Sequence, residues 1–205
     1  MIAEAALTSF IAALFAMMNP IGNVGVFAGM TASRSDDEVR RTAWSSAVAI
    51  AVTLLIVTWS GSAVMAFFGI TIDSLRAAGG VILLVIGLHM LFNKSEHKQS
   101  ETELEDAQGR GSIAVVPIAI PVVAGPGTMA TVLVAAQQSP SVSGKAEISI
   151  VIAVFAVILG ALFSFAAPIA KRIGESGMGV VTRVMGLVLA AIGMGMLAEG
   201  LKALL

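Results

Sequence analysis

"MNPIGNV" (residues 18–24) and "VVAGPGTMATV" (residues 122–132) are the two stretches on which the reading of this chain turns. The first sits inside residues 5–33, which carry no charged side chain, yet Asn19, Pro20, Gly22, Asn23 and Gly25 interrupt the apolar run. Proline lacks a backbone N–H and breaks the helical bond to the residue four before it. In hydrocarbon an unsatisfied peptide group is costly, so such a break survives only inside protein or beside a wet cavity. Each interruption therefore calls for a purpose.

Composition sets the class of protein. Of 205 residues, 57% are hydrophobic and only 12% charged, with a mean hydropathy of +0.95. A soluble domain carries about 25% charged residues. The formal net charge of −1 offers no basic excess for nucleic acid. With no cysteine, disulfides, thiolate metal sites and dithiol redox chemistry are excluded.

A membrane-spanning helix needs roughly 20 predominantly apolar residues. Six fit between the charged positions, at about 6–28, 44–67, 74–92, 113–137, 147–169 and 179–200. The third and sixth run into charged flanks, where Arg76 and Lys202 can reach the interface along their aliphatic stems. "MIAEAAL" has no positive region ahead of its apolar run, so the first span is expected to be retained rather than cleaved. Arg34, Arg40, Arg41, Lys94, Lys98, Arg110, Lys171, Arg172 and Arg183 follow the odd spans; only Arg76, Lys145 and Lys202 lie on the other side. Nine against three predicts a multi-pass protein of the plasma (inner) membrane with odd connections cytoplasmic and both termini on the outer face. The polar connection "KSEHKQSETELEDAQGRG" (94–111) reads as a solvated cytoplasmic linker rather than a cation-binding loop centred on His97.

The halves on either side of that linker resemble one another. "GVILLVIGLHML" (80–91) and "GLVLAAIGMGML" (186–197) share six of twelve residues at an offset of 106, including glycines seven apart. The same offset carries Pro20 onto Pro126 without a gap. Three spans per half invert the second half relative to the first, an arrangement common in secondary transporters. The expected fold is thus an all-α integral membrane protein of six transmembrane helices in two inverted three-helix repeats. They occupy 1–93 and 113–205, joined by a linker at 94–112, with the first helix of each repeat broken. Gly80, Gly87, Gly186 and Gly193 suit close helix packing, and so does the pair Gly25 and Gly29.

The two proline breaks suit a binding site. After Asn19-Pro20 and after Gly125-Pro126-Gly127 the chain can restart as half-helices, with Thr128 as an N-cap of the second. Each restart presents free N–H groups and the positive end of a helix dipole, which together bind a carboxylate without a buried Arg or Lys. Carbonyls vacated before each proline can hold an ammonium group or a coupling cation. Asn19 and Asn23 are assigned polar substrate contacts, and Pro20 and Pro126 end the preceding half-helices. Gly22, Gly125 and Gly127 admit the substrate to the backbone, and Thr128 offers its hydroxyl and amide.

"NPIG", "LRAAGG" at the third span, "AGPGT" in the fourth and "TRVMG" at the sixth resemble the MarC family of membrane proteins, and the resemblance runs the length of the chain. It implies six spans and, for part of that family, transport of small neutral amino acids such as glycine and alanine. The expected function is therefore secondary transport of a small zwitterion by alternating access. Its partners would be a small-molecule substrate, membrane lipid and a coupling cation, with no cofactor, no metal and no nucleic acid. The alternatives are an ion or small-solute channel and a non-transporting scaffold; no span carries a deep Asp, Glu, Lys or Arg for a charged filter. "WSGSA" (59–63) with His89 is the only hint of a serine enzyme, and Ser60 and Ser62 read as small packing residues, so no enzymatic activity is expected.

Overall fold

The chain folds into helices because its apolar runs must satisfy every peptide group internally once water is excluded. The computed structural model describes residues 4–32, 34–92 and 123–205, so the expected linker and the first half of the fourth span lie outside the described residues. The described helices are α1 (Glu4–Met18), α2 (Pro20–Met30), α3 (Asp36–Phe68), α4 (Ile72–Phe92), α5 (Pro126–Gln138), α6 (Val142–Ser164) and α7 (Ala166–Leu204). No strand occurs among the described residues.

Among the described residues five stretches are long and apolar enough to cross a membrane: Ala6–Met30, Asp36–Phe68, Ile72–Phe92, Val142–Ser164 and Ser176–Leu204. The first joins α1 and α2 across the break at Asn19. At 13 residues α5 is too short to span alone, reaching only about 20 Å of a hydrocarbon core roughly 30 Å thick.

Helix ends depart from the expected spans where local chemistry extends or cuts them. α3 begins at Asp36 rather than 44, because the Ser35 backbone N–H donates to the Glu38 carboxylate at 2.9 Å and its hydroxyl does so at 2.8 Å. Asp36, Asp37 and Glu38 also place negative charge on the first turn, against the helix dipole. α3 stops at Gly69, whose φ of 67° lets the N–H groups of Gly69 and Ile70 return to Ala66 and Met65. α7 starts at Ala166, so Lys171 and Arg172 are helical, and it breaks at Gly174 (φ 70°, ψ 166°), a conformation open essentially to glycine alone.

Two apolar clusters lie between the helices. The larger joins α1, α2, α3 and α6 through residues such as Leu14, Phe27, Ile50, Ile152 and Phe163, with Phe27 and Phe163 stacked at 4.6 Å between ring centres. The smaller is built on Met17, Leu83, Met90 and Leu189, with Ile86, Met185, Ile192 and Met196 packed against them. Outside, α3 exposes Val48, Val52, Ile56 and Trp59, and α6 exposes Ile150, Val154 and Val157. Apolar faces repeating every three or four residues on the outside of the bundle are what lipid requires.

The most intimate helix pair is α4 with α7. A Cβ on Gly80 would meet the Leu197 backbone N at 2.5 Å and the Gly193 carbonyl at 2.7 Å; one on Gly87 would meet the Ala190 N and the Gly186 carbonyl, each at 2.6 Å. Gly200 abuts Asp73 and Ala77 in the same way. Rising numbers on α4 face falling numbers on α7, so the helices run antiparallel with their backbones in contact. The packing role expected of these four glycines is what the structure shows. At one end of this seam the Arg76 guanidinium pairs with Asp73 at 3.3 Å and Glu199 at 3.9 Å.

Candidate functional site at the two helix breaks

The first break is built by Asn19. It adopts the left-handed conformation (φ 38°, ψ 60°) and is the only described non-glycine residue with positive φ. Asparagine tolerates that region because its short amide can bond locally. Here the Asn19 Oδ1 accepts from the Gly22 N–H at 3.2 Å, making Asn19 the N-cap of α2 with Pro20 at the first helical position. The Asn23 Nδ2 donates to the Met18 carbonyl at 2.8 Å, satisfying an acceptor that the broken helix leaves behind.

At the second break Gly125 is extended (φ −68°, ψ 178°) and caps α5, and Pro126 again takes the first turn. Thr128 is therefore not the N-cap, which corrects the expectation from sequence. It lies three residues inside, buried, and its hydroxyl donates back to the Val123 carbonyl at 2.8 Å. Thr131 likewise donates to the Gly127 carbonyl at 2.9 Å. Asn23 and Thr128 play the same part: each sends a side-chain donor five residues back to a carbonyl stranded ahead of the break. A carbonyl oxygen keeps a second lone pair after one such bond.

The structure brings the breaks together. A Cβ on Gly127 would collide with the Met17 terminal methyl and lie 3.3 Å from Ile86 Cδ1 and Leu83 Cδ2. Met17 immediately precedes the Met18-Asn19 break, so the start of α5 rests against the end of α1. Gly22 differs, since the space over it is filled by the Asn19 amide itself. Its lack of a side chain thus serves the cap directly. Asn19 is buried, whereas Gly22, Asn23 and Gly125 are half-buried.

Met17, Leu83 and Ile86 were not singled out in the sequence. The repeat offset could have pointed to two of them, because it carries Leu83 onto Leu189 and Ile86 onto Ile192, all four in one cluster. Residues 17–24 and 123–128, which form the two breaks, carry no ionisable side chain. Among the described residues no three His, Cys, Asp or Glu gather as a metal site requires. Elsewhere, Ser60 Oγ donates to the Ile56 carbonyl at 2.6 Å and Ser62 Oγ receives Lys145 Nζ at 3.5 Å.

Apolar spans, a lipid-facing exterior and two proline-initiated helices whose starts meet in the interior define a multi-pass integral membrane protein. The chain belongs to the MarC family of integral membrane proteins, whose family model matches residues 5–205. It is 34% identical over 196 residues to the UPF0056 membrane protein YhcE of Escherichia coli, covering 95% of this chain and 91% of that one. The UPF0056 membrane protein YvbG of Bacillus subtilis is 34% identical over 193 residues, with 93% and 92% covered. The UPF0056 membrane protein MJ1677 of Methanocaldococcus jannaschii is 33% identical over 201 residues, with 94% of each chain covered. No solved structure matches the chain.

Proposed function

We propose that this protein is a secondary transporter of small neutral amino acids, working by alternating access between two inverted three-helix repeats. The observation that carries the reading is the meeting of two proline-initiated half-helices, α2 and α5, whose first residues are 106 apart and whose breaks touch through Met17 and Gly127. α3 and α6 also begin 106 apart, at Asp36 and Val142. The glycine seam supports the repeat independently. Adding the offset to Gly80 and subtracting it from Gly193 turns the pair Gly80–Gly193 into Gly186–Gly87, which is the other contact in the seam. A two-fold relation between the halves requires such an exchange.

In this reading the first-turn amides of α2 and α5 that no cap takes up receive the substrate carboxylate, the Gly22 N–H being held by Asn19, and carbonyls near Met18 and Val123 receive its ammonium group or a coupling cation. Asn19, Asn23 and Thr128 hold the broken ends in shape, while Pro20, Gly22, Gly125, Pro126 and Gly127 supply the backbone surface. Amino acid substrates are what the MarC resemblance suggests, and a site without an ionisable side chain suits a zwitterion. The plasma membrane, with both termini outside, follows from the distribution of Lys and Arg.

The test is radiolabelled alanine and glycine in proteoliposomes. Saturable exchange supports the carrier, unsaturable flux indicates a channel, and no flux favours a scaffold. Because the chain has no cysteine, single cysteines report orientation cleanly. An impermeant thiol reagent on intact cells should label Leu205→Cys and spare Asp37→Cys, and the reverse result would invert the topology.

A further inference from the structure

The smaller cluster has a composition that packing alone does not demand. Four of the nine residues it joins are methionines, Met17, Met90, Met185 and Met196, in a chain with eleven in total. Methionine is unbranched and polarisable, and surfaces rich in it adapt to guests of different shape. Branched or unbranched, its other members are equally apolar: Leu83, Ile86, Leu189 and Ile192, beside Ala16.

Its position gives that adaptability a use. Gly127 leaves the first turn of α5 without a side chain, and the terminal methyl of Met17 closes over it from α1, with Leu83 and Ile86 beside it from α4. The contact over Gly127 is therefore made by side-chain tips, not by backbone. Met17 belongs to this cluster, whereas Leu14, one turn earlier on α1, belongs to the larger core.

We infer that Met17, Leu83 and Ile86 form the compartment for the substrate's side chain, and that Met17 is the residue that sets its upper size limit. This rests on the transporter reading above and adds to it the residue that limits the substrate's size. A zwitterion held at the start of α5 directs its side chain past Gly127 into the space the Met17 methyl now fills. The larger the substrate's side chain, the further Met17 must move, which ranks glycine ahead of alanine and alanine ahead of leucine. An acidic or basic side chain placed against Met17, Leu83 and Ile86 would lose its hydration and is rejected by desolvation.

The experiment combines selectivity with access. In proteoliposomes Met17→Ala should raise uptake of valine and leucine relative to glycine by about tenfold or more, the scale on which a pocket reads one or two methylenes. Met17→Phe should restrict transport to glycine. Melting temperatures should show both variants folded. In parallel, Met17→Cys should react with a small hydrophilic methanethiosulfonate and be protected by alanine, while Leu14→Cys stays unreactive. Met17→Cys as inert as Leu14→Cys, or folded Met17→Ala and Met17→Phe proteins that scale every substrate equally, would overturn the inference. Reactive Met17→Cys in a protein that moves no amino acid would support the compartment and overturn the amino acid assignment alone.

Discussion

Glycine serves opposite ends in two regions of this molecule. In the α4–α7 seam the atoms facing Gly80, Gly87, Gly186 and Gly193 include the backbone of the opposing helix, at 2.5–2.8 Å from where a Cβ would stand. At the helix breaks the atoms over Gly22 and Gly127 are the tips of Asn19 and Met17. Backbone cannot withdraw without separating two helices, but a side-chain tip can rotate away. The seam is thus the stiffer contact, and the breaks are where side chains can give. The alternating access proposed above would need both.

The largest effect that follows is on the seam. Gly80→Ala and Gly87→Ala should each destabilise by about 1–3 kcal/mol through overpacking. The pair should cost more together, because both push the same two backbones apart. Thermal denaturation in detergent, followed by monodispersity, measures this directly. A doubly substituted protein that melts like wild type would show that the seam opens readily, and the contrast with the breaks would vanish.

At the breaks the expected loss is smaller in stability and larger in function. Gly22→Ala displaces the Asn19 amide from its bond to the Gly22 N–H, so the cap of α2 is lost at a cost of about 1 kcal/mol. Asn19→Gly should keep the left-handed turn while losing the cap, and Asn19→Leu should lose both, adding about 1–2 kcal/mol for the conformation. All three should remain folded yet exchange alanine poorly. If Asn19→Leu melts no lower than Asn19→Gly, the left-handed turn is not what shapes the break.

These distinctions mark how far sequence alone reaches. The proline-initiated starts of α2 and α5 and the packing role of Gly80, Gly87, Gly186 and Gly193 were legible, because proline chemistry and glycine spacing are written in residue order. The local bonds of the polar side chains were not. Asn19, Asn23 and Thr128 read as ligand contacts, and the structure adds that each also makes a hydrogen bond to its own backbone neighbourhood. An asparagine before a proline, with glycine two residues further on, already had the form of an N-cap, and that signal was available. Met17 carried no such signal. An apolar residue in an apolar run acquires a role only when the fold brings Gly127 against it. The break at Gly174 was hidden too, because "KRIGESG" reads as a polar connection whether or not it is helical on both sides.

The smallest effect has the opposite sign and tests the contrast from its other edge. Gly29 and Gly195 lie within α2 and α7, the helices that carry the first break and one side of the seam, but a Cβ at either meets nothing within 4 Å. If glycine destabilises when replaced here because of what faces it, these two should behave differently from every glycine discussed above. Their replacement by alanine removes the entropic cost of glycine in a helix and should stabilise by about 0.5–1 kcal/mol. Neither change touches the breaks, so alanine exchange should be retained. A loss of stability in Gly195→Ala comparable to that in Gly87→Ala would mean that flexibility along α7, rather than contact across the seam, is what its glycines provide. Retained stability in the open pair, set against losses in the seam, would assign each glycine to its neighbour and leave the helix itself out of the account.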